Sequence, residues 1–299
     1  MSAPAALPLR HTLLALAVVA VWGSNFVVIK LGLAQLPPLL FAALRFALAA
    51  FPLALFMPRP PVRWRNLAAY GLAIGLGTFG LLFLAMTRHI SPGLASLVIQ
   101  AQVFFTIGLV MWQAGERPRP FQAVAMAVAA AGMGLIIART EGDTTAPGVA
   151  LVLLAALCWA LGNLASRAAG PVNALAYVAW SSLFAAPPLL GLSLWLEGAP
   201  RIGAALASAD AAAWAAVLWQ ALGNTIFGYG AWAWLMARHP AASIAPFALL
   251  VPVTGIGASA WLLGEALPGW KLAAAALVLA GLALNVLWPR VAARWRRGV

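Results

Sequence analysis

The chain has 299 residues, 64% of them apolar and only 8% charged, whereas a water-soluble domain carries roughly 25% charged residues to cover its surface. That composition excludes a soluble globular fold. The formal charge of +12 does not indicate nucleic acid either: gripping a phosphate backbone takes cations clustered on one accessible face, and here they are scattered between apolar runs. The single Cys158 lies inside such a run, so there is no disulfide framework.

A helix needs about 20 mostly apolar residues to cross a ~30 Å hydrocarbon core. Cutting at Pro, Gly and charge gives ten such runs, at 10–33, 37–57, 66–88, 92–114, 119–138, 147–169, 172–196, 212–237, 240–263 and 268–288. In the first run, Arg10 precedes a stretch with Ala15 and Ala17, as in a secretory signal. The run continues to Lys30 and matches a later segment, so it is read as the first membrane helix. The longest connections, 139–146 and 197–211, are too short to fold alone. The expectation is an all-α integral membrane protein with no soluble domain. The abundant Trp, Gly and Pro are the residues that membrane helices favour.

Orientation follows from the cation bias of alternate loops. With the N-terminus inside, the cytoplasmic side collects twelve of the 18 Lys and Arg, among them Arg59, Arg63, Arg117 and Arg290. The opposite side holds Lys30, Arg88, Arg139, Arg201 and Lys271, and Arg45 lies within the second helix. Both termini are therefore expected in the cytoplasm.

The second half of the chain repeats the first. Trp22 to Lys30 lies over Trp159 to Arg167, Ala49-Ala50-Phe51-Pro52-Leu53 over Ala185-Ala186-Pro187-Pro188-Leu189, Arg88-His89 over Arg238-His239, and Gly115-Glu116 over Gly264-Glu265. Four anchors in one order indicate two five-helix repeats, 1–140 and 147–299. Five is odd, so the second copy enters the membrane from the opposite side. Inverted repeats of this kind are characteristic of secondary transporters, with a site near the bilayer midplane.

Trp22-Gly23-Ser24-Asn25-Phe26, Gly264-Glu265 and the duplication resemble the EamA family of the drug/metabolite transporter superfamily over nearly the whole chain. Within it the chain is most similar to bacterial amino-acid exporters of the YddG type. The resemblance implies residence in the bacterial inner membrane and efflux of aromatic and other neutral amino acids. It also implies that helices one to four and six to nine line a central cavity, with five and ten peripheral. The proline midway along the family's fourth repeat helix appears here as Pro252 in the second half, where the first has Gln102.

A polar side chain at membrane depth must face a partner or a water-filled cavity. On helix one, Trp22, Asn25, Phe26 and Ile29 share a face, and on helix six so do Trp159, Asn163 and Ser166. Asn both donates and accepts, which suits either end of a zwitterion, and Trp offers a flat ring. The same Asn side chains also serve simple helix-to-helix hydrogen bonding. Arg45 calls for a substrate carboxylate, a carbonyl or water. Thr78, Gln100, Gln102, Tyr177, Trp180, Ser181, Asn224 and Tyr229 complete the expected substrate-contacting set. The glycines around Thr78 and Asn224 point to close helix approach, and Pro246 and Pro252 to a kink in helix nine. His89 and His239 fall at helix ends on opposite sides of the membrane, too far apart for one metal site.

All six acidic residues fall in loops or at helix ends, so a buried carboxylate for proton coupling is missing and a facilitator running by alternating access is the simplest mechanism. A drug or metabolite exporter of the same fold, proton-coupled or not, is the alternative. A membrane enzyme would need a nucleophile with its base, a ligand cluster or paired carboxylates, and a channel a filter or a ring of like charge; neither pattern is visible. No phosphate-cradling Gly-Lys-Ser/Thr segment is present. The reading calls for a small-molecule substrate and a lipid bilayer, with no cofactor, metal or nucleic acid, and leaves the oligomeric state open, a monomer included.

In a Cys158→Ala background, Pro171→Cys should be labelled by an impermeant maleimide only after permeabilisation, and Ala199→Cys in intact cells. Equal labelling of both in intact cells would defeat the topology.

Overall fold

The computed structural model describes residues 7–115, 117–139 and 144–295, and among these the chain is helical throughout, without strands. The membrane helices are α1 (Leu9–Leu33), α2 (Pro38–Ala50, resuming at Leu53–Phe56), α3 (Trp64–Arg88), α4 (Pro92–Ala114), α5 (Pro120–Ala138), α6 (Ala146–Ala169), α7 (Ala174–Leu196), α8 (Ala211–Arg238), α9 (Ala245–Leu263) and α10 (Gly269–Trp295). Nine helical stretches of the described residues are long and apolar enough to cross a bilayer. The tenth, α8, reaches that measure only together with the short helix Ala199–Ser208, which meets it at 105°. The reason is local: Gln220, Asn224 and Thr225 all lie in α8, and all are buried.

The helix ends follow their sequence. Pro38, Pro92 and Pro120 stand in the first turns of α2, α4 and α5, where a missing N–H costs nothing. Thr145, Asn173 and Asp210 accept the N–H of Gly148, Ala176 and Ala213, capping α6, α7 and α8. The cap at Ala213 and the Gln35 side chain hold the Asp210 carboxyl below the usual carboxylate range. Gly115 and Gly264 close α4 and α9 with φ of 65° and 67°, a left-handed turn that glycine adopts without strain. Pro52 interrupts α2. The kink expected at Pro246 and Pro252 takes the form of 3₁₀ turns over Ala245–Leu250, from which α9 continues as an α-helix at Val251.

In α3 and α8 the helix widens to π geometry, over Leu72–Gly80 and Trp219–Phe227. One device recurs in both: Thr78 Oγ1 donates to the Ala73 carbonyl at 3.2 Å and Thr225 Oγ1 to the Gln220 carbonyl at 2.8 Å, five residues back in each case. Each hydroxyl occupies a carbonyl that the regular ladder shares poorly in a widened turn, and such turns are frequent at functional sites.

Pairs of helices meet through small residues, as expected where lipid gives no hydrophobic drive for association. α5 runs along α10, and a Cβ at Gly281 would come within 2.6 Å of the Ala125 carbonyl oxygen. α3 approaches α7 at Gly71, where a Cβ would lie 2.1 Å from the Ser181 carbonyl oxygen.

Two sets of stitches join the first five helices to the last five. On the face carrying the α1–α2, α3–α4 and α9–α10 turns, Glu197 accepts the N–H of Leu39 and Leu40 at 2.7 and 3.0 Å. Glu265 accepts the N–H of Gly93 at 2.9 Å and the Ser91 hydroxyl, and pairs with Lys271 at 2.9 Å. Each carboxylate thus sits at the positive end of a helix from the other half. On the opposite face, His11 and His239 share a hydrogen bond of 2.7 Å, Tyr177 Oη donates to Asn66 at 2.7 Å, and Trp180 Nε1 donates to the Met57 carbonyl at 3.1 Å. Glu116, Glu141 and Asp143 lie outside the described residues.

Glu265→Ala removes the acceptor for three donors and leaves Lys271 without its counter-charge. That should cost about 3 kcal/mol and lower the thermal unfolding midpoint of the purified protein by several degrees. An unchanged midpoint would show that the stitch contributes nothing.

Candidate functional site

A cavity of about 150 Å³ lies inside the bundle, walled by α1, α3, α4, α6, α8 and α9. Trp22, Asn25, Phe26 and Ile29 of α1 all line it, because positions i, i+3, i+4 and i+7 fall on one helical face. Phe79 and Leu82 of α3, Ile99, Gln100 and Gln102 of α4, Trp159 of α6, Asn224 and Tyr229 of α8, and Ala248 and Val251 of α9 complete the wall. α5 and α10 contribute nothing to it, and against expectation neither do α2 and α7, whose Arg45, Phe46, Val178 and Ser181 border a separate, smaller void.

Trp22 is fixed by α8. Its Nε1 donates to the Asn224 carbonyl at 3.2 Å, within the π segment, and its ring meets Tyr229 and Trp232 at centroid distances of 5.6 and 5.2 Å. A Cβ at Gly228 would lie 2.3 Å from Trp22 Nε1, so the indole crosses α8 where the sequence has no side chain. Four uncharged amides border the cavity. Asn25 Oδ1 accepts from Gln220 Nε2 at 2.7 Å, which leaves the Asn25 N–H groups for a ligand. Gln102 Oε1 accepts from Asn163 at 3.0 Å, which leaves its own amide donors. The cavity is therefore ring-walled and neutral, with directional hydrogen-bonding capacity and no formal charge.

Arg45 is not in this wall. It is 1% exposed, donates from Nη1 to Gln220 Oε1 at 3.0 Å, and holds its guanidinium carbon 3.6 Å from the centroid of Phe79. Gln220 thus spans from Arg45 to Asn25, and Phe79 separates the cation from the cavity it also lines. Arg45 itself lines a second, much smaller void with Ser181, Tyr70 and Tyr229. The sequence calls for a substrate carboxylate, a carbonyl or water beside this cation; the hydrogen-bond partner among the described residues is instead the side-chain amide of Gln220 on α8.

Several other expected contact residues lie away from the cavity. Thr78 is fully buried, and its single hydroxyl proton is shared between the Ala73 carbonyl of its own helix and the Ala155 carbonyl of α6 at 3.1 Å. Asn163 reaches Gln102 and Thr106 instead of open space, and Ser166, one turn on, is exposed. Tyr177 and Trp180 belong to the first turns of α7, where Tyr177 meets Tyr70 with tilted rings at 4.7 Å and Trp180 meets Trp64 at 6.0 Å. Ser181 borders only the small void. The helical period places these residues on the inward face of α7, but depth along the helix decides which of them reach the cavity. Gln220, Phe79 and Tyr70 escaped the sequence reading. Gln220 carries the same signal that marks Asn224, a polar amide inside an apolar run; the two rings carry none. His239 does stand at a helix end, but its partner is His11.

Ten apolar helices, six of them walling a neutral, ring-lined cavity, with Arg45 held inside the protein by an amide, are the architecture of a multi-pass membrane protein. The chain belongs to the EamA-like transporter family, whose model matches residues 9–138 and again 146–287. It is 45% identical over 284 residues to a probable amino-acid metabolite efflux pump of Salmonella typhimurium, covering 93% of this chain and 95% of that protein. A protein of the same description from Escherichia coli is 40% identical, covering 97% and 98%. A probable terminal-alkyne amino-acid exporter of Streptantibioticus cattleyicolor is 31% identical, covering 89% and 90%. One crystal structure superposes with a TM-score of 0.62 over 94% of this chain and 98% of its own, at 21% identity, which shows a common fold.

Gln220→Leu strips Arg45 of its acceptor and Asn25 of its donor, and should destabilise the protein by about 3 kcal/mol or more. Gln220→Glu, which keeps an acceptor for Arg45 but loses the donor to Asn25 Oδ1, should recover only part of that loss. If the leucine variant melts like wild type, the link between α2 and α8 carries no weight.

Proposed function

We propose that the protein exports neutral amino acids with apolar side chains, aromatic ones foremost, across a bacterial inner membrane in which both termini face the cytoplasm. The single observation that carries this reading is the size and lining of the cavity. A dry cavity of about 150 Å³ takes a benzene-sized guest, whereas drug-sized ligands occupy sites of roughly 300–1,000 Å³. The cavity of about 150 Å³ suits one ring or one branched aliphatic side chain, which favours amino acids over bulky drugs. In this reading Trp22, Trp159 and Phe79 hold the side chain. Asn25, Gln100, Gln102 and Asn224 meet the ammonium and carboxylate, and Tyr229 closes the wall. Arg45, Thr78, Asn163, Tyr177, Trp180 and Ser181 act one step behind, fixing the helices that present these groups. The names of the efflux relatives support the same substrate class.

Transport proceeds by alternating access of the two five-helix halves, 1–140 and 147–299, around the cavity. With no acidic residue inside a span, the carrier runs as a uniporter on the substrate's own gradient. In proteoliposomes, unlabelled phenylalanine inside should drive counterflow of labelled leucine, with no response to an imposed pH gradient. Trp22→Ala with Trp159→Ala should lower that flux at least tenfold while the protein still inserts and purifies normally. Undiminished flux would remove the rings from the site, and acceleration by a pH gradient would overturn uniport.

A further inference from the structure

Beside the substrate cavity lies a void in which the centre of a water-sized sphere has about 10 Å³ to move, room for one guest slightly larger than water. Arg45, Ser181, Tyr70 and Tyr229 line it, and Tyr229 also borders the larger cavity. Two polar atoms here are buried without any hydrogen-bond partner, Arg45 Nε and Ser181 Oγ. The other hydroxyls on the wall, Ser182 and Thr225, are already committed to the carbonyls of Val178 and Gln220. The groups left for an occupant are therefore a guanidinium N–H, the Ser181 hydroxyl and two phenol hydroxyls. The first is a donor only and the other three can donate.

The charge balance points the same way. Arg45 has a neutral amide and a ring face as partners, and no Asp or Glu occurs within a membrane span of the sequence. A water molecule would satisfy the orphaned atoms but leave the positive charge uncompensated in a low-dielectric interior, where unpaired ions are strongly disfavoured. A carboxylate brings two oxygens and an attached carbon, and on an amino acid an ammonium group as well, which a void this small beside a guanidinium does not accommodate. We propose that this void is a binding site for a monatomic anion, chloride in the cell, held by Arg45, Ser181, Tyr70 and Tyr229. The bound anion neutralises Arg45 and so steadies the Arg45–Gln220–Asn25 chain that ends in the substrate cavity.

The test uses the purified full-length protein and needs no transport, so its outcome is separate from that of the substrate assignment. Thermal unfolding is followed while sodium gluconate is replaced by sodium chloride or sodium bromide at constant ionic strength. The expected result is a saturable rise in melting temperature with chloride and bromide. Ser181→Ala, which removes one donor and little volume, should still fold and should move the chloride midpoint several-fold higher. Crystals grown in bromide should show an anomalous peak beside Arg45. Identical melting curves in chloride and gluconate would overturn the proposal, leaving water as the occupant. So would a chloride response that Ser181→Ala does not weaken, since the anion would then bind elsewhere. A chloride midpoint raised in competition by phenylalanine would also overturn it, by showing that the void takes the substrate carboxylate.

Discussion

Inside a bilayer a polar group has no water to turn to, and the interior of this protein is arranged around that constraint. Arg45 is the most demanding case, a full charge at 1% exposure with no acid in any span. Its solution draws in three helices: α2 supplies the cation, α8 supplies Gln220, and α1 supplies Asn25 at the far end of the chain. The amide of Gln220 is suited to this because it accepts from Arg45 through its oxygen and donates to Asn25 through its nitrogen. Phe79 adds a ring face at 3.6 Å, an attraction that strengthens where water is excluded. The cost of burying polar atoms in α8 is visible in its sequence, since it is the one membrane helix that does not reach the hydropathy of a span unaided.

The π segments of α3 and α8 belong to the same arrangement. Widened turns aim backbone carbonyls out of the regular ladder, and side chains take them up: Thr78 and Thr225 within their own helices, and Trp22 at Asn224 from the helix opposite. The local device is repeated in both halves, but its surroundings are not. In the first half Thr78 shares its one proton with a carbonyl of α6; in the second, the carbonyl that Thr225 engages belongs to Gln220, the residue that holds Arg45.

The sequence makes the helical architecture legible because membrane length and hydropathy leave few choices, and the proline and glycine punctuation falls at the observed ends. The inward face of α1 was equally readable, since Trp22, Asn25, Phe26 and Ile29 follow a single period. What could not be read was which polar residue meets which across helices. Asn163 has the same period and chemistry as Asn25, but it is taken up by Gln102 and Thr106. Tyr177 and Trp180 are likewise inward but lie at the wrong depth, and their hydroxyl and indole N–H are taken up by Asn66 and Met57. Periodicity fixes a side chain's direction around its helix; the tilt and offset of neighbouring helices decide its partner.

The stitches between the halves differ in kind at the two ends of the molecule. At one end carboxylates of the second half grip helix termini of the first, and both components are strong solutes in their own right. At the other, imidazole, phenol and indole groups interlock, and much of their contact area is hydrocarbon. Any displacement of one half against the other therefore meets unequal fastenings. Water can replace the first atom for atom as they part, whereas at the second it replaces the hydrogen bonds but only wets the rings, so the two ends of the molecule resist separation by different means and respond differently to salt and to temperature.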